Sequence, residues 1–295
     1  MRSLETLRRL IAIAVTLLVG TVLVGCAGAG NKTFDGDRAM EHVENQCEFG
    51  DRSVGTEGNT ETREYIADYL DRYGWDVEYQ EFAYLGRSLC NVMGTKGEGP
   101  LIIIGAHFDT RPVADRDPDD RAAAVPGAND GASGTAVLLE LARVLDESAT
   151  DQAKIMLAFF DGEDRGELNG WPWCVGSSYM AANLEEEPEY ALVVDMVGDA
   201  DQEIFYEWSS SLWLQEKVWG IADDLGYGTV FRPEHRYVIE DDHTSFLQQG
   251  IDAAVIIDFD YRYWHTASDT PDKVSADSLQ RVGDVLEKLL EEEPF

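Results

Sequence analysis

Histidines and acidic residues recur in this chain at the ends of apolar runs. His107 and Asp109 follow LIIIGA, Asp130 sits in GANDGASG, Glu163 and Asp164 close FFDGED, and Asp195 sits in VVDMVG. Asp241, Asp242 and His243 form one block, and His265 lies between Trp264 and Thr266. Each has an ordinary explanation taken singly: a His-x-Asp is commonly a hydrogen-bonded pair, a Gly-Glu-Asp turn is commonly solvated, and Asp130 could cap a helix. Taken together they are costly, because carboxylates gathered at one apolar edge lose water without gaining a counter-ion. A bound cation resolves that cost. Two imidazoles, several carboxylates and no thiolate suit zinc in an open catalytic site, whereas an oxygen-only set would suit calcium or magnesium. No Cys-x-x-Cys occurs, which argues against a thiolate zinc site.

The runs that carry these residues read as buried strands: 101–108, 154–161, 191–198 and 252–258, all continuous and apolar. Between them lie helical patterns at 59–73 (Asn59 or Thr60 as cap, Gly74 as stop), 135–145 and 276–292 (Ser275 as cap), and 75–82 alternates like a strand. Strands alternating with helices predict an α/β domain with a mixed, mainly parallel central sheet sandwiched by helices. In such sheets ligands bind at the carboxyl ends of the strands. Those ends are where His107, Asp164, Asp195 and His265 fall.

The chain has 295 residues and a net charge of -34, with six lysines among its 23 basic residues. That surface repels phosphates and anionic lipid heads, which argues against nucleic acid and membrane-surface partners. It suits a protein kept soluble in concentrated salt, where screening weakens self-repulsion. Arg2, Arg8 and Arg9 precede an apolar run from Leu10 to Val24, followed by Gly25 and Cys26. This predicts a signal peptide over 1–25 with a lipobox, Cys26 as the lipidated residue, a tether over 26–36 and one catalytic domain over 37–295. The expected location is outside the cytoplasm, attached to the membrane only through the lipid. Cys47, Cys90 and Cys174 remain; export would allow one pair, of which Cys47 with Cys90 is considered, and the odd count leaves it open.

The strings GAHFDTRP, GANDGASGTAVLLELAR, FFDGED, VVDMVG, EDDHTSF and WHTASDT, in this order, resemble the zinc aminopeptidase family and its glutaminyl cyclase relatives. The resemblance runs from about Asp37 to the C-terminus. It implies Asp130, Asp164 and His265 as zinc ligands and Glu163 as the catalytic acid/base. In the two-metal peptidases the positions of His107 and Asp195 hold a second zinc. Three features resemble the cyclases instead. Trp264 precedes His265, Asp241 in EDDH matches a residue networked with the one matching Asp195, and a tryptophan-rich insert follows Glu163. Trp264 with one of Trp171 or Trp173 is then expected to wall the pocket. Asp164 departs from the Glu of animal cyclases.

The implied activity is cyclisation of N-terminal Gln in peptides or proteins to pyroglutamate with one zinc. A two-zinc aminopeptidase is the alternative, and a non-catalytic binding protein on the same scaffold a minor one. His42 and His235 match no motif and are expected at the surface. His243 is expected to support the site or serve a structural bond. Trp208, Trp213 and Trp219 are expected in the core or at a rim. Oligomeric state is not given by the sequence.

Overall fold

The computed structural model describes residues 33–145, 147–292 and 294–295. The expected leader and the lipobox cysteine Cys26 lie outside the described residues. In chain order the elements are α1 (Gly36–Glu48), α2 (Glu57–Arg72), β1 (Asp76–Tyr84), β2 (Arg87–Lys96), β3 (Leu101–His107), α3 (Ala132–Val144), α4 (Glu147–Thr150) and β4 (Lys154–Phe160). There follow α5 (Val175–Ala182), β5 (Tyr190–Asp195), β6 (Ile204–Glu207), α6 (Leu212–Asp224), β7 (Phe231–Tyr237), α7 (Asp242–Leu247), β8 (Ala253–Ile257) and α8 (Ala276–Glu292).

Six strands form one sheet in the order β1-β2-β4-β3-β5-β8. β4, β3, β5 and β8 run parallel, and β2 pairs antiparallel with both β4 and β1. The mixed, mainly parallel sheet flanked by helices is the one the strand–helix alternation predicts. Each central strand feeds two cores because its side chains alternate in direction. Ile102 and Ile104 enter the core built with α1, α2, α3, α6 and α8, while Ile103 enters the one under α5 and α7. α8 buries Leu279, Val282, Val285, Leu286, Leu289 and Leu290, an apolar stripe at helical spacing.

The structure departs from several expectations. The domain begins before Asp37. Phe34 is buried, its ring lying where a Cβ on Gly283 would be, and the Asp35 carboxylate caps α1. The end of the expected tether is therefore part of the fold. α2 starts earlier than Asn59 or Thr60, because Thr56 Oγ1 accepts the Asn59 N–H at 3.2 Å. The β1–β2 hairpin was only half legible. Its two-residue turn places both Leu85 (φ 43) and Gly86 (φ 77) in the left-handed region, and a leucine there is an uncommon turn signal. All three described cysteines are free, so the Cys47–Cys90 pairing does not form. His42 is buried rather than at the surface, with Nδ1 2.5 Å from the Tyr65 hydroxyl and burial pushing its pKa down to about 3.

Candidate active site

The parallel strands all point their carboxyl ends at one place. β3 ends on His107, β5 ends on Asp195, β4 leads through Asp161 to Glu163 and Asp164, and β8 leads to the loop carrying His265. Asp130 arrives from the loop before α3, where Gly131 turns with φ 94. A Cβ there would come within 2.6 Å of the Asp109 carbonyl oxygen, so only glycine lets the chain pass this close to β3.

Two clusters result, sharing Asp130: His107 with Asp130 and Asp195, and Asp130 with Asp164 and His265. Within each, the ligand-type atoms lie within 4.8 Å of one another. The clusters differ in how well their atoms are satisfied. His107 Nε2 lies 3.1 Å from Asp195 Oδ1 and 3.2 Å from Asp130 Oδ1, and its Nδ1 bonds the Asp109 carbonyl at 3.1 Å. In the other cluster His265 Nε2 stands 3.0 Å from Asp164 Oδ1 and 3.8 Å from Asp130 Oδ2, but neither approach has hydrogen-bond geometry, and Asp130 Oδ2, both Asp164 oxygens and His265 Nε2 are buried without a hydrogen bond. Polar atoms stranded in this way are expensive unless something binds them. One imidazole and two carboxylates form a donor set that fits a zinc ion with one position left open.

Each part of the set is gripped from behind. The Asp109 carboxylate accepts the N–H groups of Glu163 (3.0 Å) and Asp164 (3.3 Å). Asp269 does the same for Asn129 (2.9 Å) and Asp130 (3.1 Å), and Tyr261 donates to it at 2.6 Å. His265 has a left-handed backbone (φ 57), and its Nδ1 stands 3.2 Å from Asp115 Oδ1, which leaves Nε2 for the cluster. Arg111 fixes Asp115 at 2.7 Å while donating to the carbonyls of Asp164 (3.3 Å) and Gly166 (2.7 Å). These bonds hold the donor atoms in place in advance.

Above the set lies a cavity of about 240 Å³ whose lining includes Glu163, Asp195, Asp241, Trp173 and Trp264. Each indole is backed by an arginine from one short segment: Arg111 lies 4.9 Å from the Trp173 ring centroid and Arg116 3.9 Å from that of Trp264. Trp171 does not reach the cavity; it is buried against Val54, Leu89 and Val175, so of the two candidates Trp173 is the wall. His243 sits apart from the metal set, its Nε2 bonding Glu207 at 3.2 Å, a structural role that ties α7 to the end of β6. Trp219 packs in the core, whereas Trp208 and Trp213 are exposed.

Burial dominates the electrostatics. It pushes the Glu163 carboxyl well above the usual range, with the neighbouring Asp164 adding to the effect and His107 opposing it. Asp164 is pushed up to about 6 by burial and then by Asp130, and Asp241 to about 7 by burial and then by Asp195. Burial works against the charged forms of His107 and His265, but the surrounding carboxylates outweigh it and both are raised. A high-pKa carboxyl facing the cavity beside a cation-ready set can accept and return a proton.

Sequence reasoning named the ligand-type residues but overlooked Arg111, Asp115, Arg116, Cys174 and Asp269. Asp269 lay inside the WHTASDT string, and Arg111 and Asp115 followed the His-x-Asp pair, so proximity to a motif was their only signal. Cys174, whose Sγ lies 3.6 Å from Glu163 Oε1, carried none.

Residues 91–290 match the family model for peptidase family M28. The chain is 28% identical to aminopeptidase YwaD of Bacillus subtilis over 231 residues, covering 69% of this chain but only 44% of that longer protein. Among solved structures, a leucine aminopeptidase precursor from Bacteroides thetaiotaomicron superposes with a TM-score of 0.84 at 31% identity, covering 90% of this chain and 99% of the other. A glutaminyl cyclase from the same organism, bound to N-acetylhistamine, gives 0.83 at 31% identity over 90% and 100%. With most of its length matching the family model, the chain belongs to peptidase family M28.

Proposed function

We propose that this chain is a zinc-dependent glutaminyl-peptide cyclotransferase that converts an N-terminal Gln to pyroglutamate and releases ammonia. The observation that carries the reading is the asymmetry between the two clusters. Asp130 Oδ2, both Asp164 oxygens and His265 Nε2 make no hydrogen bond although His265 Nε2 comes within 3.0 Å of Asp164 Oδ1, while His107 Nε2 hydrogen-bonds Asp195. One ion-ready set beneath two indoles suits a single zinc and a single bound side chain. Similarity to the glutaminyl cyclase is in keeping with this reading, and the likeness to the leucine aminopeptidase precursor is as close.

Zinc held by Asp130, Asp164 and His265 would polarise the γ-amide carbonyl of the substrate. Trp173 and Trp264 would hold the Gln side chain between them, so that the substrate's own α-amine lies over the amide carbon. As that amine attacks, a carbon–nitrogen bond forms and the bond to the amide nitrogen breaks. Glu163 takes the amine proton and delivers it to the departing ammonia, a task suited to a carboxyl held above its usual range. Asp195 and Asp241, both lining the cavity, retain a proton between them because neighbouring buried carboxyls resist ionising together.

A two-zinc aminopeptidase is the second reading, favoured by the donor atoms of His107, Asp130 and Asp195 lying within 4.8 Å of one another. Residues 1–26 support a further proposal, export with lipid attachment at Cys26.

Incubating the zinc-loaded chain with a Gln-initiated and a Leu-initiated peptide separates the two activities by mass spectrometry. Ammonia loss from the first alone supports the cyclase, and release of free Leu would sink it. Glu163→Gln is expected to lower turnover by roughly 10²–10⁴-fold while retaining zinc.

A further inference from the structure

The cavity opens between three exposed charged residues that the chemistry above leaves unused: Glu167, Glu240 and Arg116. Arg116 is already engaged, its guanidinium covering Trp264 and its N–H donating to the His265 carbonyl at 3.3 Å. Other arginines of this region are also committed: Arg111 to Asp115 at 2.7 Å, Arg236 to Asp260 at 2.8 Å and Arg232 to Glu203 at 2.6 Å. Neither Glu167 nor Glu240 has such a partner among the described residues. Glu167 is also held firmly, with a left-handed backbone (φ 61) and its N–H bonded to the Trp171 carbonyl at 2.8 Å.

The cavity floor fixes which end of a ligand lies inward. Asp130 Oδ2 belongs to a side chain only 3% exposed and has no hydrogen bond, and Asp130 lines this space beside His265. A peptide placed with its first residue there, and rising about 3.3 Å per residue, brings the residues that follow to the mouth.

We propose that Glu167 and Glu240 make this site selective for peptides with Lys or Arg directly after the N-terminal residue. The inference rests on the peptide N-terminus reading above. The chain's overall charge of -34 would attract any cation, but that attraction is screened beyond about 10 Å in 0.1 M salt. Replacing two carboxylates by amides barely alters the overall field, so a large change in selectivity on replacing them is local.

The test compares kcat/KM for Gln-Lys, Gln-Ala and Gln-Glu peptides, alongside their affinities for the zinc-loaded Glu163→Gln protein by calorimetry. The Lys peptide is expected to exceed the Glu peptide by about tenfold at low salt, as two surface pairs would give. The preference should shrink toward unity at 1 M salt and in Glu167→Gln/Glu240→Gln, and persist in Glu61→Gln/Glu64→Gln on the exposed side of α2. Equal affinities for the three peptides, or a preference that survives the mouth substitutions, overturns the proposal. Charge-dependent binding without any pyroglutamate formed supports the mouth's role and sinks the cyclase reading instead.

Discussion

The two clusters that share Asp130 are built from similar residues, yet they are in different physical states. Around His107 the polar atoms find each other: Nδ1 has a carbonyl, Nε2 has two carboxylates, and Asp195 closes the pair at 3.1 Å. Around His265, Nδ1 is taken by Asp115, and Nε2 stands 3.0 Å from Asp164 Oδ1 without hydrogen-bond geometry, facing carboxylate oxygens that have no hydrogen bond. The difference arises from what grips each residue. Asp109 and Asp269 hold the Asp164 and Asp130 backbones by consecutive N–H groups, which fixes the points from which those carboxylates project. A preorganised but unsatisfied set has a strong reason to bind a cation. A self-satisfied set must first give up its own bonds.

The sharpest way to break this comparison is to remove one histidine from each cluster. His265→Ala is expected to abolish stoichiometric zinc and lower activity by about 10³-fold or more, read by elemental analysis and turnover. His107→Ala should keep one zinc per chain and cost about 10–100-fold, the range for residues that support a ligand. Loss of the only zinc in His107→Ala would reverse the assignment.

The pH dependence of stability sharpens the comparison further. Asp164 (about 6) and Asp241 (about 7) are raised by burial, so between about pH 4 and 7 these two groups bind more protons in the folded chain than in the unfolded one, opposed by the single buried His42 held at about 3. Their stabilising effect is present at low pH and is lost as pH rises through those values. The raised His107 and His265 add a loss of the same sign at higher pH. Chelator-treated protein should therefore melt at a lower temperature at pH 7 than at pH 5. Zinc should remove the Asp164 part of that slope and leave the Asp241 part, and a slope that zinc does not touch would count against Asp164 as a ligand.

The smallest expected effect lies at the wall. Arg116→Gln removes an exposed cation–π contact worth about 0.5–1 kcal/mol, so KM should rise about two- to fivefold with kcat nearly unchanged. A fall in kcat of the same size would place Arg116 in control of His265 rather than of Trp264.

Much of this site was legible because its chemistry is concentrated at strand ends. Buried parallel strands read as apolar runs, and an acid or imidazole that ends such a run has no packing reason to be there. His107, Asp164, Asp195 and His265 stood out on that ground. Asp109 stood out there too, but its hold on Glu163 54 positions away did not, and Asp115 and Asp269, acting through contacts 150 and 140 positions away, did not stand out at all. The difference between Trp171 and Trp173 was equally hidden. Both are tryptophans in one loop, two positions apart, yet Trp171 packs against Val54 and Trp173 lines the cavity.

By itself, then, the sequence determined the strand–helix alternation, the mainly parallel sheet and the donor types gathered at its carboxyl edge, since periodicity and burial are local properties of the chain. Only the tertiary structure decided which donors are satisfied and which are left for a cation. It also decided that the three described cysteines stay apart, that His42 is buried, and which tryptophan faces the pocket. Hydrogen-bond satisfaction depends on angles and distances between distant segments, and those are set by packing rather than by residue type.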